Sequence, residues 1–256
     1  MGRFFSRISP FIHYFREIFM YLTPYFQADH DHITITPEQG SAFAKQVAND
    51  FNPLHDADSR RFCVPGDLLF ALNLAWYGLS QTMRFDYTGM VGKGVALVFP
   101  PSGPTQAQFD ICDPQGKAYL KVTRQGEITH DMALIEAFTR AYVAFSGQSF
   151  PHILVPLMEK HQVMIHPDKP MVIYENMAFD FDQLDAQQLN LQLGESTLEM
   201  KGKRGLVRIN FEIMDGTRRL GSGYKTMVLS GLRPYEKQGV DALIERYEAA
   251  KNSYMP

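Results

Sequence analysis

The chain has 256 residues, 45% hydrophobic and 21% charged, with a formal net charge of −3 at pH 7. That length suits one large domain or two small ones, and either can bury a sizeable core. The mildly acidic balance, with aromatics that do not interleave with Lys and Arg, excludes the electrostatic footprint of a nucleic-acid binder. Cys63 and Cys112 fall in no CxxC or Cys/His metal spacing, which predicts a reducing, cytoplasmic setting with both thiols as packing groups. Cys63, just ahead of a helix start, also has the position of a nucleophile.

Residues 1–26 are rich in Phe, Tyr and Ile but broken by Arg3, Arg7, Arg16 and Glu17, and read as an N-terminal extension. No run there approaches the roughly 20 apolar residues that span a bilayer, and no small-residue cleavage site follows. The expectation is a loosely attached segment, or sequence upstream of a true start at Met20, without stable membrane insertion. A helix lying on a membrane surface is the alternative.

ITIT at 33–36 alternates as a strand. Thr36-Pro37-Glu38-Gln39 leads into a helix through SAFAKQVAND, whose Phe43, Val47 and Ala48 share a face. Asn52-Pro53 ends it, because the residue before proline avoids the α region. After the polar loop LHDADSRRF, Pro65-Gly66-Asp67 starts a second helix, with proline in its first turn and an acid complementing the positive end of its dipole. From Leu68 to Leu79, Asn73 is almost the only polar interruption before Gly78. Such a helix must be wrapped by other structure, and the strands that follow predict a sheet curled around it.

Those strands are expected at 94–99, 105–113 and 117–129, the last two joined by an Asp113-Pro114-Gln115-Gly116 turn. A helix at 132–147 follows, with Leu134, Ala137, Phe138, Ala141, Tyr142 and Phe145 on one face, then a helical stretch at 153–163. Strands resume at 171–182, 189–195, 196–202, 206–215 and 219–231, and the tail ends in a charged surface helix. The order strand, helix, loop, helix, strands thus recurs as helix, loop, helix, strands. Residues 43–56 and 138–153 also share an aromatic-led helix, then a Pro with a His behind it. Two units are expected, 27–131 and 132–256, the second lacking an acid to match Asp50 or a glycine to match Gly66. Chance likeness between two amphipathic helices is the alternative.

Chemistry concentrates in the first unit. Asp50, Asn52 and His55 surround the Pro53 turn, and a carboxylate near an imidazole is equipment for moving protons at neutral pH. Gly66, at a helix N-terminus, offers a backbone N–H and lets a carbonyl approach closely. On spacing alone the turn can equally be structural, with Asp50 and His55 capping its ends. DHDH at 29–32 reads as a solvated strand entrance, with a metal site as the alternative, and KGKRG at 201–205 as a solvated turn, with a contact for CoA phosphates as the alternative; His152, His161 and His166 fall at no ligand spacing. No GxGxxG, Walker, GxSxG or HExxH pattern occurs.

Asp50-Phe51-Asn52-Pro53-Leu54-His55 resembles the D-x-N-P-x-H stretch of MaoC-type, (R)-specific enoyl-CoA hydratases, and the likeness extends over residues 41–76. That family has the hot-dog fold, an antiparallel sheet wrapped around a long hydrophobic helix. Its stretch follows Ser-Gly and leads to Ala-His-Gly-Met at the helix start. This chain has Ala48-Asn49 and Val64-Pro65-Gly66-Asp67 in those places, so the glycine before the acid and the histidine before Gly66 are lost. The resemblance, with the chain's length, implies an α+β, fused double hot-dog chain with one site, from Asp50, His55 and Gly66, and a degenerate second unit. Asp50 and His55 would activate water toward the β-carbon of a 2-enoyl thioester, one of them then protonating the α-carbon. The Gly66 N–H would hold the enolate-like oxygen. Asn52 and Pro53, with Val64, Pro65 and Asp67 at the helix start, would orient the site and substrate. The implied partner is an acyl-CoA or acyl-carrier-protein thioester, with no metal or redox cofactor and with homodimer formation open. A hydro-lyase is the first reading. A thioesterase on the same fold and a non-catalytic acyl-thioester binder are the alternatives.

Overall fold

The computed structural model describes residues 21–29, 32–101 and 106–254; residues 1–20 of the expected extension lie outside these. Residues 21–26 are firmly attached, since Leu22 is fully buried and Tyr25 meets Phe43 edge-on. Helix α1, Pro37–Gln46, begins at a reciprocal cap in which Thr36 Oγ1 accepts from Gln39 N–H and the Gln39 side chain accepts from Thr36 N–H. Helix α2, Gly66–Tyr77, is buried along nearly its whole length, as its composition requires. Helix α3, Met132–Gly147, is capped by the Asp131 carboxylate, which accepts from Ala133 and Leu134 N–H. A short α4, Leu154–Lys160, and a C-terminal α5, Lys237–Tyr254, complete the helices among the described residues.

Ten strands form one antiparallel sheet: β1 (Gln27–Asp29), β2 (His32–Thr34), β3 (Leu79–Tyr87), β4 (Ala96–Val98), β5 (Gln108–Cys112), β6 (Ala118–Thr129), β8 (Val172–Phe181), β9 (Leu189–Lys201), β10 (Arg204–Asp215) and β11 (Arg218–Ser230). Two-residue strands β7 (Val163–Met164) and β12 (Arg233–Pro234) pair separately. The sheet order is β1-β2-β4-β5-β6-β3-β8-β11-β10-β9. Outward from the central β3/β8 pair, one side runs β3, β6, β5, β4 and the other β8, β11, β10, β9, so each set of four takes the same first, fourth, third, second order, with β2 and β1 added beyond β4. This repeated order is a far stronger sign of two like units than the local sequence.

The inner sheet face closes over the helices. Phe70 of α2 meets Phe85 at 5.2 Å and Phe179 at 6.4 Å between ring centroids, and Phe138 of α3 meets Phe179 at 4.8 Å and Phe181 at 4.9 Å. Because α2 and α3 share this one core, neither half buries its apolar surface alone. A second cluster lies among α4, β9–β11 and α5. An antiparallel sheet folded around buried apolar helices is the hot-dog arrangement, and the chain is α+β of that class.

Besides the short strands β1, β7 and β12, which the sequence reading lacks, three elements differ from it. Strand β3 was not expected, although Leu79, Met83, Phe85 and Tyr87 alternate. A bulge at Ser80/Thr82 breaks the period, and Gly126 opposite it (φ 81°) leaves room for Gln81, whose Oε1 accepts from Glu127 N–H. Segments 189–195 and 196–202 form one bulged strand, β9, rather than two. The expected strand at 94–99 shrinks to the three residues of β4.

Candidate active site

Where α1 ends, Asn49 takes φ 51°, the left-handed region that asparagine tolerates best among residues with a side chain. Asn49 thus adopts a left-handed turn of the kind glycine takes most readily, so asparagine in the place of the pattern's glycine is compatible with this backbone. Asn49→Val is expected to lower stability by about 1–2 kcal/mol, while Asn49→Gly leaves it little changed, as read from denaturant unfolding. The next turn fixes the side chains. Asp50 Oδ1 accepts from Asn52 N–H at 2.9 Å, and Asn52 Oδ1 accepts from Leu54 N–H at 3.1 Å to cap a single 3-10 turn, Pro53–His55. Asn52 Nδ2 reaches across to the carbonyl of Val172 at 3.4 Å.

His55, 7% exposed, places Nδ1 2.7 Å from the Cys63 carbonyl oxygen. A carbonyl only accepts, so Nδ1 carries the hydrogen and the lone pair of neutral His55 lies on Nε2. Nε2 stands 3.7 Å from Asp50 Oδ2. Two acceptors at that spacing do not bond one another, but both can accept from a single water. Asp50 thus caps the turn through Oδ1 and leaves Oδ2 facing His55 Nε2.

These groups line a cavity of about 580 Å³, of a size that takes a small-molecule ligand. Asp50, Asn52, Pro53, His55, Val64 and Gly66 all line it. Pro65 and Asp67 do not, so neither is placed to touch a ligand there. Pro65 is the residue before α2 and accepts the first turn's N–H bonds from Leu68 and Leu69. The Gly66 N–H has no protein acceptor among the described residues, which leaves it free for an oxygen in the cavity. A Cβ at Gly66 would come within 3.2 Å of both the Tyr87 and Tyr174 rings, so a larger residue there would require one of the rings to shift.

Asp67 turns instead into a buried polar cluster that the sequence reading missed. Lys225, fully buried on β11, directs Nζ to Ser146 O at 3.1 Å, Ser146 Oγ at 3.2 Å, Tyr174 OH at 3.1 Å and, in a short contact, Ser149 Oγ. Tyr174 OH contacts Ser146 Oγ and donates to Asp67 Oδ2 at 3.4 Å. Ser146, Ser149, Tyr174 and Lys225 line the same cavity as His55. The available signal was parity: Lys225 shares the inward face of β11 with Met227 and Leu229, where an aliphatic residue would ordinarily stand.

Burial pushes the Asp67 carboxyl up to about 6 and the Lys225 ammonium down to about 8, each partly countered by the other's charge. As pH rises from the ordinary Asp value toward 6, the unfolded chain loses the Asp67 proton first and stability falls. Above about 8, the folded chain has already released the Lys225 proton that the unfolded chain still holds, and stability climbs. Between those values both groups are ionised and the fold bears both desolvation costs. Asp67→Asn with Lys225→Met is therefore expected to raise unfolding free energy at pH 7 by about 1–4 kcal/mol, and to flatten both limbs in chemical denaturation across pH.

The other sequence candidates stay apart. Burial pushes the Cys63 thiol up to about 11, against a thiolate nucleophile. Asp29 and His32 face each other across the β1–β2 pair, His30 and Asp31 lie outside the described residues, and KGKRG forms the β9–β10 hairpin away from the cavity. His152, His161 and His166 do not line the cavity either. Among the described residues, no His/Cys/Asp/Glu cluster is placed to hold a metal, and no helix is long and apolar enough to cross a membrane.

Fold and cavity together define a hot-dog protein with a pocket lined by Asp50, His55, Gly66 and the Lys225 cluster. Residues 20–238 match the family model described as "Protein of unknown function (DUF3581)", and the chain belongs to that family. No curated protein matches the chain. Among solved structures, the acyl-CoA thioesterase II TesB2 of Mycobacterium marinum overlaps with a TM-score of 0.38 at 9% identity, covering 67% of this chain and 90% of that one. A putative oleoyl thioesterase of Lactobacillus plantarum gives 0.37 at 8% identity, covering 62% and 77%. Full-length peroxisomal multifunctional enzyme type 2 of Drosophila melanogaster gives 0.41 at 10%, with 77% of this chain on 48% of that one. At such overlaps the chemistry has to come from the chain's own residues.

Proposed function

We propose that the chain is a MaoC-like hydro-lyase that adds water across the double bond of a 2-enoyl thioester, carried on CoA or on an acyl carrier protein. The observation that carries this reading is the 3.7 Å separation of His55 Nε2 and Asp50 Oδ2 on the wall of a largely apolar cavity. A water donating one hydrogen to each acceptor would have its oxygen lone pair aimed away from both, toward a β-carbon. His55 would take the first proton, hydroxide would add, and the π electrons would move toward the thioester oxygen.

The unoccupied Gly66 N–H and the positive end of α2 suit that developing oxyanion. Leu69, Val91, Leu154, Ile165 and Met227 supply apolar wall for an acyl chain. Within this reading the first unit, 27–131, carries the water-activating pair, and the second, 132–256, closes the cavity with β8, β11 and α5.

The test is conversion of crotonyl-CoA by wild type, Asp50→Asn and His55→Ala. Hydration by wild type that both variants lose supports the reading. Hydration that survives in both variants refutes the assigned roles. Release of free acid from enoyl and saturated thioesters alike would replace it with a thioesterase.

A further inference from the structure

The water-activating pair accounts for only one side of the cavity and leaves the buried Lys225–Tyr174–Ser146 cluster without a task. Resting on the hydration reading, we propose that Tyr174 is a further catalytic residue, the acid that delivers the α-carbon proton, with Lys225 as the positioning residue that resupplies it.

Location comes first. Tyr174 lines the cavity with His55, and its ring lies 3.2 Å from where a Gly66 Cβ would stand. A thioester oxygen held by the Gly66 N–H therefore brings the α-carbon, one bond from the carbonyl, close to this tyrosine. Tyr87, stacked near Tyr174 at 5.7 Å between ring centroids, spends its hydroxyl on the Gly66 carbonyl at 3.1 Å. Of these two rings, only Tyr174 keeps its hydroxyl within the Lys225 cluster.

The hydrogen bonds then set its direction of transfer. Lys225 Nζ donates to Tyr174 OH at 3.1 Å, which favours negative charge on that oxygen. The proton of Tyr174 has two acceptors within reach, Asp67 Oδ2 at 3.4 Å and Ser146 Oγ, whereas Ser149 Oγ already donates to Ser146 O at 2.7 Å. Burial keeps the phenol well above its ordinary range, so it rests as the acid. The next carboxylate, Asp67, leaves Oδ1 without a partner among the described residues, so the cluster is not an internally satisfied structural knot.

The step balances as follows. Water gives one proton to His55 Nε2 as its oxygen bonds to the β-carbon, and the C=C π pair becomes the enolate. The enolate's α-carbon then forms a C–H bond with the Tyr174 proton, while the O–H pair stays on the phenolate. Lys225 passes a proton to that phenolate, and the proton on His55 returns to Lys225 through solvent. One water is added to one enoyl thioester, with no other reactant.

The test separates the α-carbon step from water addition by using a saturated thioester, butyryl-CoA, in D2O, where only α-hydrogen exchange can occur. Wild type is expected to exchange through the fraction in which neutral Lys225 holds the Tyr174 proton, so that the phenolate takes the α-hydrogen and returns a deuteron. Tyr174→Phe should lose about 100-fold or more of that exchange, with its thermal midpoint retained, and His55→Ala should keep it while losing crotonyl-CoA hydration. Equal exchange in Tyr174→Phe and wild type overturns the proposal, as does absence of exchange in wild type or its loss in His55→Ala alone. Exchange that depends on Tyr174, in a protein that hydrates no enoyl thioester, would support Tyr174 and sink the hydration reading instead.

Discussion

His55→Ala is expected to reduce kcat for enoyl-thioester hydration by about 100- to 10,000-fold, the range a positioned general base supplies. KM should change little, because in the proposed mechanism Nε2 acts on the water rather than on the acyl chain. The substitution also removes the bond from Nδ1 to the Cys63 carbonyl, which ties the two ends of the 55–63 loop and is worth about 1 kcal/mol, so unfolding has to be measured alongside. Asp50→Asn is the cleaner companion. An asparagine oxygen still accepts from Asn52 N–H and preserves the turn, whereas the charge opposite Nε2 disappears. A comparable loss of kcat in Asp50→Asn, at unchanged stability, would show that the carboxylate works beyond capping. Steady-state kinetics of both variants that match wild type would end the role of the pair.

Gly147→Ala is expected to destabilise the fold by about 3 kcal/mol or more. A Cβ at this position would lie 1.6 Å from the carbonyl oxygen of Ala48 and 2.7 Å from its carbon. The obstacle is backbone, not a flexible side-chain tip, so one segment has to move. The hydroxyl of Tyr247 on α5 locks the same spot, facing the Asn49 carbonyl at 3.2 Å and the Gly147 carbonyl at 3.4 Å. The end of α3, the turn before Asp50 and the C-terminal helix thus meet within one contact. Displacing residues 48–49 also shifts Asp50, so the variant should lose activity in the fraction that still folds. Urea melts measure the first effect, and assay below the melting transition measures the second. An unfolding free energy within about 0.5 kcal/mol of wild type would mean that this close approach does not hold the halves together.

How far residues announce structure here depends on whether each obeys its local pattern. The apolar run of α2 could only be a wrapped helix, and Asn52-Pro53 between Asp50 and His55 could only be a tight turn, so both were legible. The departure at Asn49 looked like damage to the motif because a sequence shows residue type and not φ. The backbone conformation is the same one that glycine would serve. Pro65 is a different case. It stands where the hydratase pattern has histidine, and it contributes no group to the cavity, so the helix tip keeps its free N–H but not a second imidazole. Strand β3 escaped notice because its bulge interrupts the alternation at Gln81.

Lys225 was hidden by a reasonable prior. A lysine in a strand is ordinarily on the solvent face, and the three hydroxyls that satisfy this one come from Ser146, Ser149 and Tyr174, all far from it in sequence. The division of labour between the halves was hidden for the same reason. Local likeness between residues 43–56 and 138–153 hinted at duplication, but the matched strand order on either side of β3 and β8 is a pairing property. The second half lacks the Asp/His pair, yet it contributes the buried cluster and much of the apolar wall. What reads as degeneration along the chain is, in space, the other side of one cavity.

The measurement that bears most directly on the central claim is the fate of oxygen from labelled water during turnover of crotonyl-CoA. Water held between His55 and Asp50 and added to the β-carbon leaves the thioester whole, so mass spectrometry should find the ¹⁸O on C3 of a 3-hydroxyacyl thioester. Label in the carboxylate of a released free acid, with the enoyl double bond intact, would contradict it.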